Sequence, residues 1–217
     1  MKSRVHGLYV IADTGLVDAG SLARRVAGAL KGGAAIVQYR NKQALTPALA
    51  ADLQAIQRLC RTFDVPLIIN DDVALARELG ADGVHLGRDD TDIAEARRVL
   101  GGGRLIGASC YNLLPCAVAA RDSGADYVAF GSFFASTTKP GAVRAGRKLL
   151  VRARAALDIP IVAIGGITPE NGGDLIAAGA DALAVASGVI AQADPEARAR
   201  AYAGLFNNGR KRRTSSS

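Results

Sequence analysis

Little in this sequence supports covalent staples or acid–base chemistry. It has three cysteines, Cys60, Cys110 and Cys116. The odd count and the lack of a CxxC spacing argue against a disulfide framework or a zinc site, and the expected setting is a reducing cytoplasm. Only two histidines are present, His6 and His85, and no nucleophile has an evident partner base. No apolar run approaches the ~18 residues that a membrane span needs. The apolar stretch near the N-terminus, GLYVIA, stops at Asp13, so it reads as a first strand and not as a signal peptide. No GxGxxG follows that strand, which removes the dinucleotide-binding fingerprint.

The chain has 217 residues, 49% of them hydrophobic, and 25 glycines set within regular patterns. That is long for an ordinary single domain but normal for an α/β barrel. The formal charge is +7, and four of the cations are Arg210, Lys211, Arg212 and Arg213. The segment 208–217 lacks apolar residues to bury and is expected to be a disordered basic tail, leaving 1–207 as one catalytic domain. Without the tail the domain is modestly basic. That balance suits phosphorylated substrates without calling for nucleic acid, and the RKRR run has no interleaved aromatics or recognition motif.

Three segments echo one another: ELGADGVHLG (78–87), DSGADYVAFG (122–131) and AAGADALAVASG (177–188). Each ends a helix on glycine, continues with Ala-Asp and enters a short apolar strand. KGGAAIVQYR (31–40) is a looser copy. The recurrence predicts repeated βαβ units. Strands are predicted over 7–13, 35–40, 66–70, 83–86, 105–109, 127–131, 161–165 and 182–187. Helices are predicted over 22–31, 47–63, 73–79, 93–100, 114–123, 149–157, 169–178 and 195–206, with Thr46-Pro47 and Thr168-Pro169 as start signals. Eight strand–helix pairs with strands apolar on both faces predict a (β/α)8 TIM barrel.

In such a barrel the active site lies beyond the C-terminal ends of the strands. Gln38, Arg40 and Lys42 fall two apart at the end of the second strand and share a face. The third strand ends in Asn70-Asp71-Asp72, the fourth leads to Asp89 and Asp90, and the fifth ends at Ser109. Ser136, Thr137, Thr138 and Lys139 follow the sixth. Gly165-Gly166 and Ala186-Ser187-Gly188 follow the seventh and eighth, where barrels often bind phosphate through backbone N–H groups. Arg40, Lys42 and Lys139 together supply more positive charge than a monophosphate needs. Asp71 and Asp90 fit Mg²⁺, which takes one or two carboxylates and fills its shell with water and phosphate oxygens. Each feature has a plainer reading. The cations also suit a solvated strand end, the aspartates suit helix caps, residues 136–139 suit a polar loop, and His85 suits a structural role. Their placement on one rim favours the chemical reading. With cations, hydroxyls and a metal site in place of an acid/base pair, the inventory suits departure of diphosphate under electrostatic stabilisation.

The motifs QYRNK, IINDDVALARELGADGVHLGRDD, GASCYN, GADYVAFGSFFASTTK and VAIGGI…AAGADALAVASGVI resemble thiamine-phosphate synthase over nearly the whole chain. The resemblance implies a transferase of thiamine biosynthesis. It would join hydroxymethylpyrimidine diphosphate to hydroxyethylthiazole phosphate, releasing diphosphate by a dissociative route. It implies that Gln38, Arg40, Lys42, Asn70, Ser109 and Lys139 hold the pyrimidine diphosphate, and that Asp71 and Asp90 bind Mg²⁺. Ser136, Thr138, Gly166, Ala186 and Ser187 would hold the thiazole phosphate. The implied partners are small phosphorylated substrates, with no nucleic acid or membrane, and a homo-oligomer is compatible with the family. Three positions depart from its pattern. Ser136 replaces a commoner Thr, Arg88-Asp89 replace Gln-Glu, and Tyr111 stands where His is frequent. Arg88 either joins the diphosphate site or pairs with Asp89. The competing readings are a thiazole tautomerase, which needs a histidine soon after the fifth strand, and an idle relative that binds thiazole phosphate. The glycines and polar residues over 132–146 are expected to form a lid.

Overall fold

A computed structural model describes residues 5–135 and 144–214, with the backbone alone for 208–214. Eight parallel strands pair in sequence order and close on themselves: β1 (Gly7–Asp13), β2 (Ala34–Arg40), β3 (Leu67–Asn70), β4 (Gly83–Leu86), β5 (Leu105–Tyr111), β6 (Tyr127–Phe130), β7 (Ile161–Ile164) and β8 (Ala182–Val185). The helices are α1 (Leu22–Lys31), α2 (Pro47–Thr62), α3 (Val73–Leu79), α4 (Ile93–Leu100), α5 (Leu114–Asp122), α6 (Arg147–Ala156), α7 (Gly172–Ala177), α8 (Ser187–Ile190) and α9 (Pro195–Thr214). This is the expected (β/α)8 barrel. Among the described residues no helix is long and apolar enough to cross a membrane.

Apart from shifts of one or two residues at element ends, such as β5 running on to Tyr111 and α6 starting at Arg147, three differences stand out. Thr168-Pro169 does not begin α7. Residues 168–171 form a turn in which Asn171 Oδ1 accepts a hydrogen bond from Thr168 N at 2.9 Å, and the helix starts at Gly172. Ser187, expected in the last strand, opens the short helix α8. The final helix, expected over 195–206 with disorder from 208, runs to Thr214. Arg and Lys sustain a helix well, no proline falls in the added stretch 207–214, and its single glycine, Gly209, costs only about 1 kcal/mol.

The repeated Gly-Ala-Asp explains how the lower rim is stitched. Gly80, Gly124 and Gly179 take positive φ values of 58°, 98° and 114°, which end the preceding helix where a side chain would be strained. The aspartate two residues on then bonds the start of the preceding strand in two ways. Asp82 N donates to Leu67 O (2.9 Å), and Asp82 Oδ2 accepts from Leu67 N (3.0 Å). Asp126 does the same at Ile106 (2.7 and 2.7 Å), and Asp181 at Ile161 (2.8 and 2.8 Å). Arg97 and Arg154 brace the second and third of these carboxylates. The repeat is therefore a structural device at the N-terminal rim, which leaves the opposite rim free for chemistry.

Strand alternation sorts the core into two regions. Leu8, Val10 and Ala12 face the helices, while Tyr9 and Ile11 join Ile36, Ile68, Tyr127 and Val162 inside the barrel. On β2 the same alternation sends Val37 and Tyr39 outward. Ile36, Gln38 and Arg40 therefore share the inner face, with Ile36 in the packed interior and the two polar residues above it.

Candidate active site

A cavity of about 1280 Å³ opens at the C-terminal rim. Gln38, Arg40, Asn70, Ser109, Gly165, Gly166, Ala186 and Ser187 all line it. Residues from β2, β3, β5, β7 and β8 thus converge although they are far apart in sequence. Lys42, Asp71 and Asp90 do not line the cavity. They gather beyond the ends of β2, β3 and β4, where Asp71 faces a separate hollow with Asp72, Arg77 and Glu95, while their chain neighbours Asn70 and Asp89 do reach the cavity. Ser136, Thr137, Thr138 and Lys139 lie outside the described residues.

Arg40 and Lys42 are already held by acids. Arg40 Nη1 pairs with Asp13 Oδ2 at the end of β1, and Asp13 is 6% exposed. Asp13 Oδ1 accepts from Gly15 N at 2.9 Å, which fixes the carboxylate's direction. Sequence reading treated Asp13 only as the end of an apolar strand. The signal for its role is the β1–β2 register, which sets Asp13 directly opposite Arg40. Lys42 Nζ pairs with Asp71 Oδ2 in a more exposed contact.

The acidic residues divide their work. Asp72 caps α3 by accepting from Leu75 N at 2.8 Å, and Asp92 caps α4 by accepting from Ala94 N at 2.9 Å. Neither Asp71 nor Asp90 is spent on a helix cap. Asp71 has a φ of 64°, in the left-handed region that costs a non-glycine residue energy. Asp90 Oδ2 accepts from Gly87 N at 2.6 Å, and a Cβ on Gly87 would meet that oxygen at 3.0 Å, so glycine lets the carboxylate fold back. Burial first, and the adjoining Asp71 carboxyl second, raise the Asp90 pKa above its ordinary value. Two carboxylates brought together at one edge, neither of them capping a helix, form a donor set suited to a hard divalent cation. Among the described residues no group of three or more His, Cys, Asp or Glu is gathered for a metal. A cation here would complete its shell from phosphate oxygens and water.

Beneath the cavity, polar groups cross the barrel interior in a chain. Gln38 Nε2 donates to the Tyr9 hydroxyl at 2.8 Å, and the Tyr9 and Tyr127 hydroxyls lie 2.9 Å apart. His85 Nδ1 is 3.1 Å from the Tyr127 hydroxyl, and His85 Nε2 is 2.9 Å from Ser109 Oγ. Burial pushes the His85 pKa down to about 4, against a weaker upward pull from Asp90. Unfolded, the ring would titrate at about 6.5. As pH falls below that value the unfolded chain takes up a proton that the native ring refuses. Stability present above pH 6.5 is therefore lost progressively down to pH 4, by about 3 kcal/mol for this one ring. Urea unfolding at pH 7 and pH 4 should show that loss, and His85→Gln should flatten it. A variant as acid-sensitive as the parent would assign the dependence to other groups.

The opposite end of the cavity is built for close backbone approach. Gly165 and Gly166 have φ values of 103° and 63°, and a Cβ on Gly166 would meet Ala135 O at 2.3 Å. Thr168, Ser187, Gly188 and Gln192 line this end. So does Arg198 of α9, a cation the sequence reading did not single out. Its guanidinium lies 5.8 Å from the centre of the Tyr202 ring. Arg88 makes a contact that neither reading of it named. Its guanidinium sits 4.8 Å from the centre of the Tyr111 ring, and both residues line the cavity.

Comparison with known proteins agrees with this geometry. The family model described as thiamine monophosphate synthase matches residues 8–189. A thiamine-phosphate synthase of Azoarcus sp. is 54% identical over 206 residues, covering 95% of this chain and all of that protein. One from Nitrosococcus oceani is 51% identical over 202 residues, covering 93% of each chain. The solved thiamine phosphate pyrophosphorylase of Pyrococcus furiosus superposes with a TM-score of 0.84 at 32% identity, covering 95% of this chain and 97% of that one. Matched along its barrel and about half identical to relatives of nearly equal length, the chain belongs to the thiamine-phosphate synthase family.

Proposed function

We propose that the protein condenses 4-amino-2-methyl-5-(diphosphooxymethyl)pyrimidine with hydroxyethylthiazole phosphate to give thiamine phosphate and diphosphate. The observation that carries this reading is the convergence of Gln38, Arg40, Asn70 and Ser109 on one cavity; Lys42, Asp71 and Asp90 gather just outside it, beyond the ends of β2, β3 and β4. Family membership supplies the two substrates.

In the proposed reaction the bond between the methylene carbon and diphosphate oxygen breaks first, and diphosphate leaves with the electron pair. The electron-rich aminopyrimidine stabilises the methylene cation. The thiazole nitrogen then gives its lone pair to that carbon. It carries no proton, so no general base is required. Arg40 and Lys42, with Lys139, stabilise the negative charge that gathers on diphosphate. Asp71 and Asp90 would hold Mg²⁺, which when bound supplies further positive charge to the leaving oxygens. Gln38 and Ser109 hold the pyrimidine, and Asn70 contacts its diphosphate. Gly165, Gly166, Ala186 and Ser187, with Ser136, Thr137 and Thr138, hold the thiazole phosphate, so that both reactants meet in a fixed orientation.

The test is incubation of the protein with both phosphorylated substrates and Mg²⁺, following diphosphate release and thiamine phosphate by chromatography. Equal amounts of the two products are expected. Isomerisation of the thiazole with no diphosphate released would overturn the reading in favour of a tautomerase.

A further inference from the structure

The chain of hydrogen bonds under the cavity has a direction. Gln38 presents an amide N–H to the Tyr9 oxygen. The Tyr9 and Tyr127 hydroxyls are 2.9 Å apart, and either could donate; with Tyr9 only 1% exposed, the sense that leaves no buried hydrogen without an acceptor sends the Tyr9 hydrogen to the Tyr127 oxygen. Tyr127 is fully buried and has His85 Nδ1 as its onward partner. Nδ1 then accepts, so the neutral imidazole carries its hydrogen on Nε2 and donates it to Ser109 Oγ. The Ser109 oxygen is occupied as an acceptor, and its own hydrogen remains for the cavity that it lines. Each buried donor thereby meets an acceptor, as interiors require.

The barrel makes room for this chain. A Cβ on Gly107 would meet Tyr127 Cζ at 2.1 Å and its hydroxyl at 2.4 Å. Glycine at that point of β5 lets the phenol cross the interior from β6 and set its oxygen between Tyr9 and His85. Tyr127 does not line the cavity, so its hydroxyl can act there only through its neighbours.

We propose that Tyr127 and His85 are positioning residues that hold Ser109 as an obligate hydrogen-bond donor, selecting a pyrimidine whose facing ring atom is an acceptor. The inference rests on the reading that Ser109 holds the pyrimidine. Run in the opposite sense, the chain would put the His85 hydrogen on Nδ1 and commit the Ser109 hydrogen to Nε2. The ligand would then meet only a lone pair, which an unprotonated ring nitrogen cannot use.

The tautomer is measurable without substrate. With two histidines in the chain, ¹⁵N-labelled imidazole spectra separate His85 from His6. The expected result is a single Nε2–H tautomer for His85. Tyr127→Phe removes the donor to Nδ1, so His85 should become a mixture of tautomers. KM for the pyrimidine diphosphate should rise about tenfold, as for one lost hydrogen bond, with KM for thiazole phosphate unchanged. An analogue with carbon in place of the ring nitrogens should be rejected less by Ser109→Ala than by the parent. An Nδ1–H tautomer in the parent would overturn the proposal, and that measurement stands even if Tyr127→Phe does not fold. A correct tautomer with equal rejection of the analogue by parent and Ser109→Ala would overturn the selection step. Absence of diphosphate release from the parent would instead defeat the activity, leaving the tautomer result intact.

Discussion

Chelation of divalent metal, or replacement of Asp71 or Asp90 by asparagine, is expected to lower turnover by roughly 10²–10⁴-fold, the range for losing several kcal/mol of charge stabilisation at the leaving group. The reason lies in what the two carboxylates do in the free protein. Asp72 and Asp92 carry the helix caps, so Asp71 and Asp90 are free to approach one another. That approach raises the Asp90 pKa after burial has already done so. Lys42 offsets part of the repulsion by pairing with Asp71. A divalent cation would relieve the remainder, and Lys42 would be released toward diphosphate. Asp90→Asn should therefore raise the Mg²⁺ concentration needed for half-maximal rate, and should weaken Mn²⁺ binding measured by electron paramagnetic resonance in the presence of diphosphate. Full turnover after exhaustive chelation would remove the metal from the reaction altogether.

The architecture was legible because apolar runs of strand length alternate with helical stretches, and because Gly-Ala-Asp marks the same corner three times. The inner face of β2 was legible for a similar reason, since Gln38 and Arg40 stand two apart after an apolar run and both reach the cavity. Contacts between strands were not legible. Asp13 meets Arg40 only through the register of β1 on β2. Tyr9, His85 and Tyr127 sit within apolar runs and resemble packing residues, yet their polar atoms meet across three strands. A hydroxyl on an aromatic ring carries no mark of its partner in the sequence. The cap of α4 was expected at Asp89 or Asp90, but Asp92 holds it: the start of the first helical turn shifts by a residue or two without changing the pattern.

Replacement of Arg40 by alanine is expected to reduce turnover by about 10²–10³-fold, the cost of removing one preorganised group that stabilises developing negative charge. The substitution also strands an acid. Asp13 is 6% exposed and would lose its cationic partner while keeping the Gly15 N–H. Because the Arg40 side chain is 27% exposed, water can enter after truncation, and a loss of about 1–3 kcal/mol is expected instead of the full cost of a buried unpaired charge. The two effects separate in a double-mutant cycle. Asp13→Asn combined with Arg40→Ala removes the stranded charge, so stability should recover in denaturant unfolding. The rate should not recover, because on the proposed reading the missing cation is the one that acts on diphosphate. Asp13→Asn alone should lower turnover much less, since the guanidinium remains on the cavity wall and the substrate's own charge would hold it there. If the double variant regained the parent's rate together with its stability, Arg40 would be a strut for the end of β1, and the charge on the leaving group would be carried elsewhere on the rim.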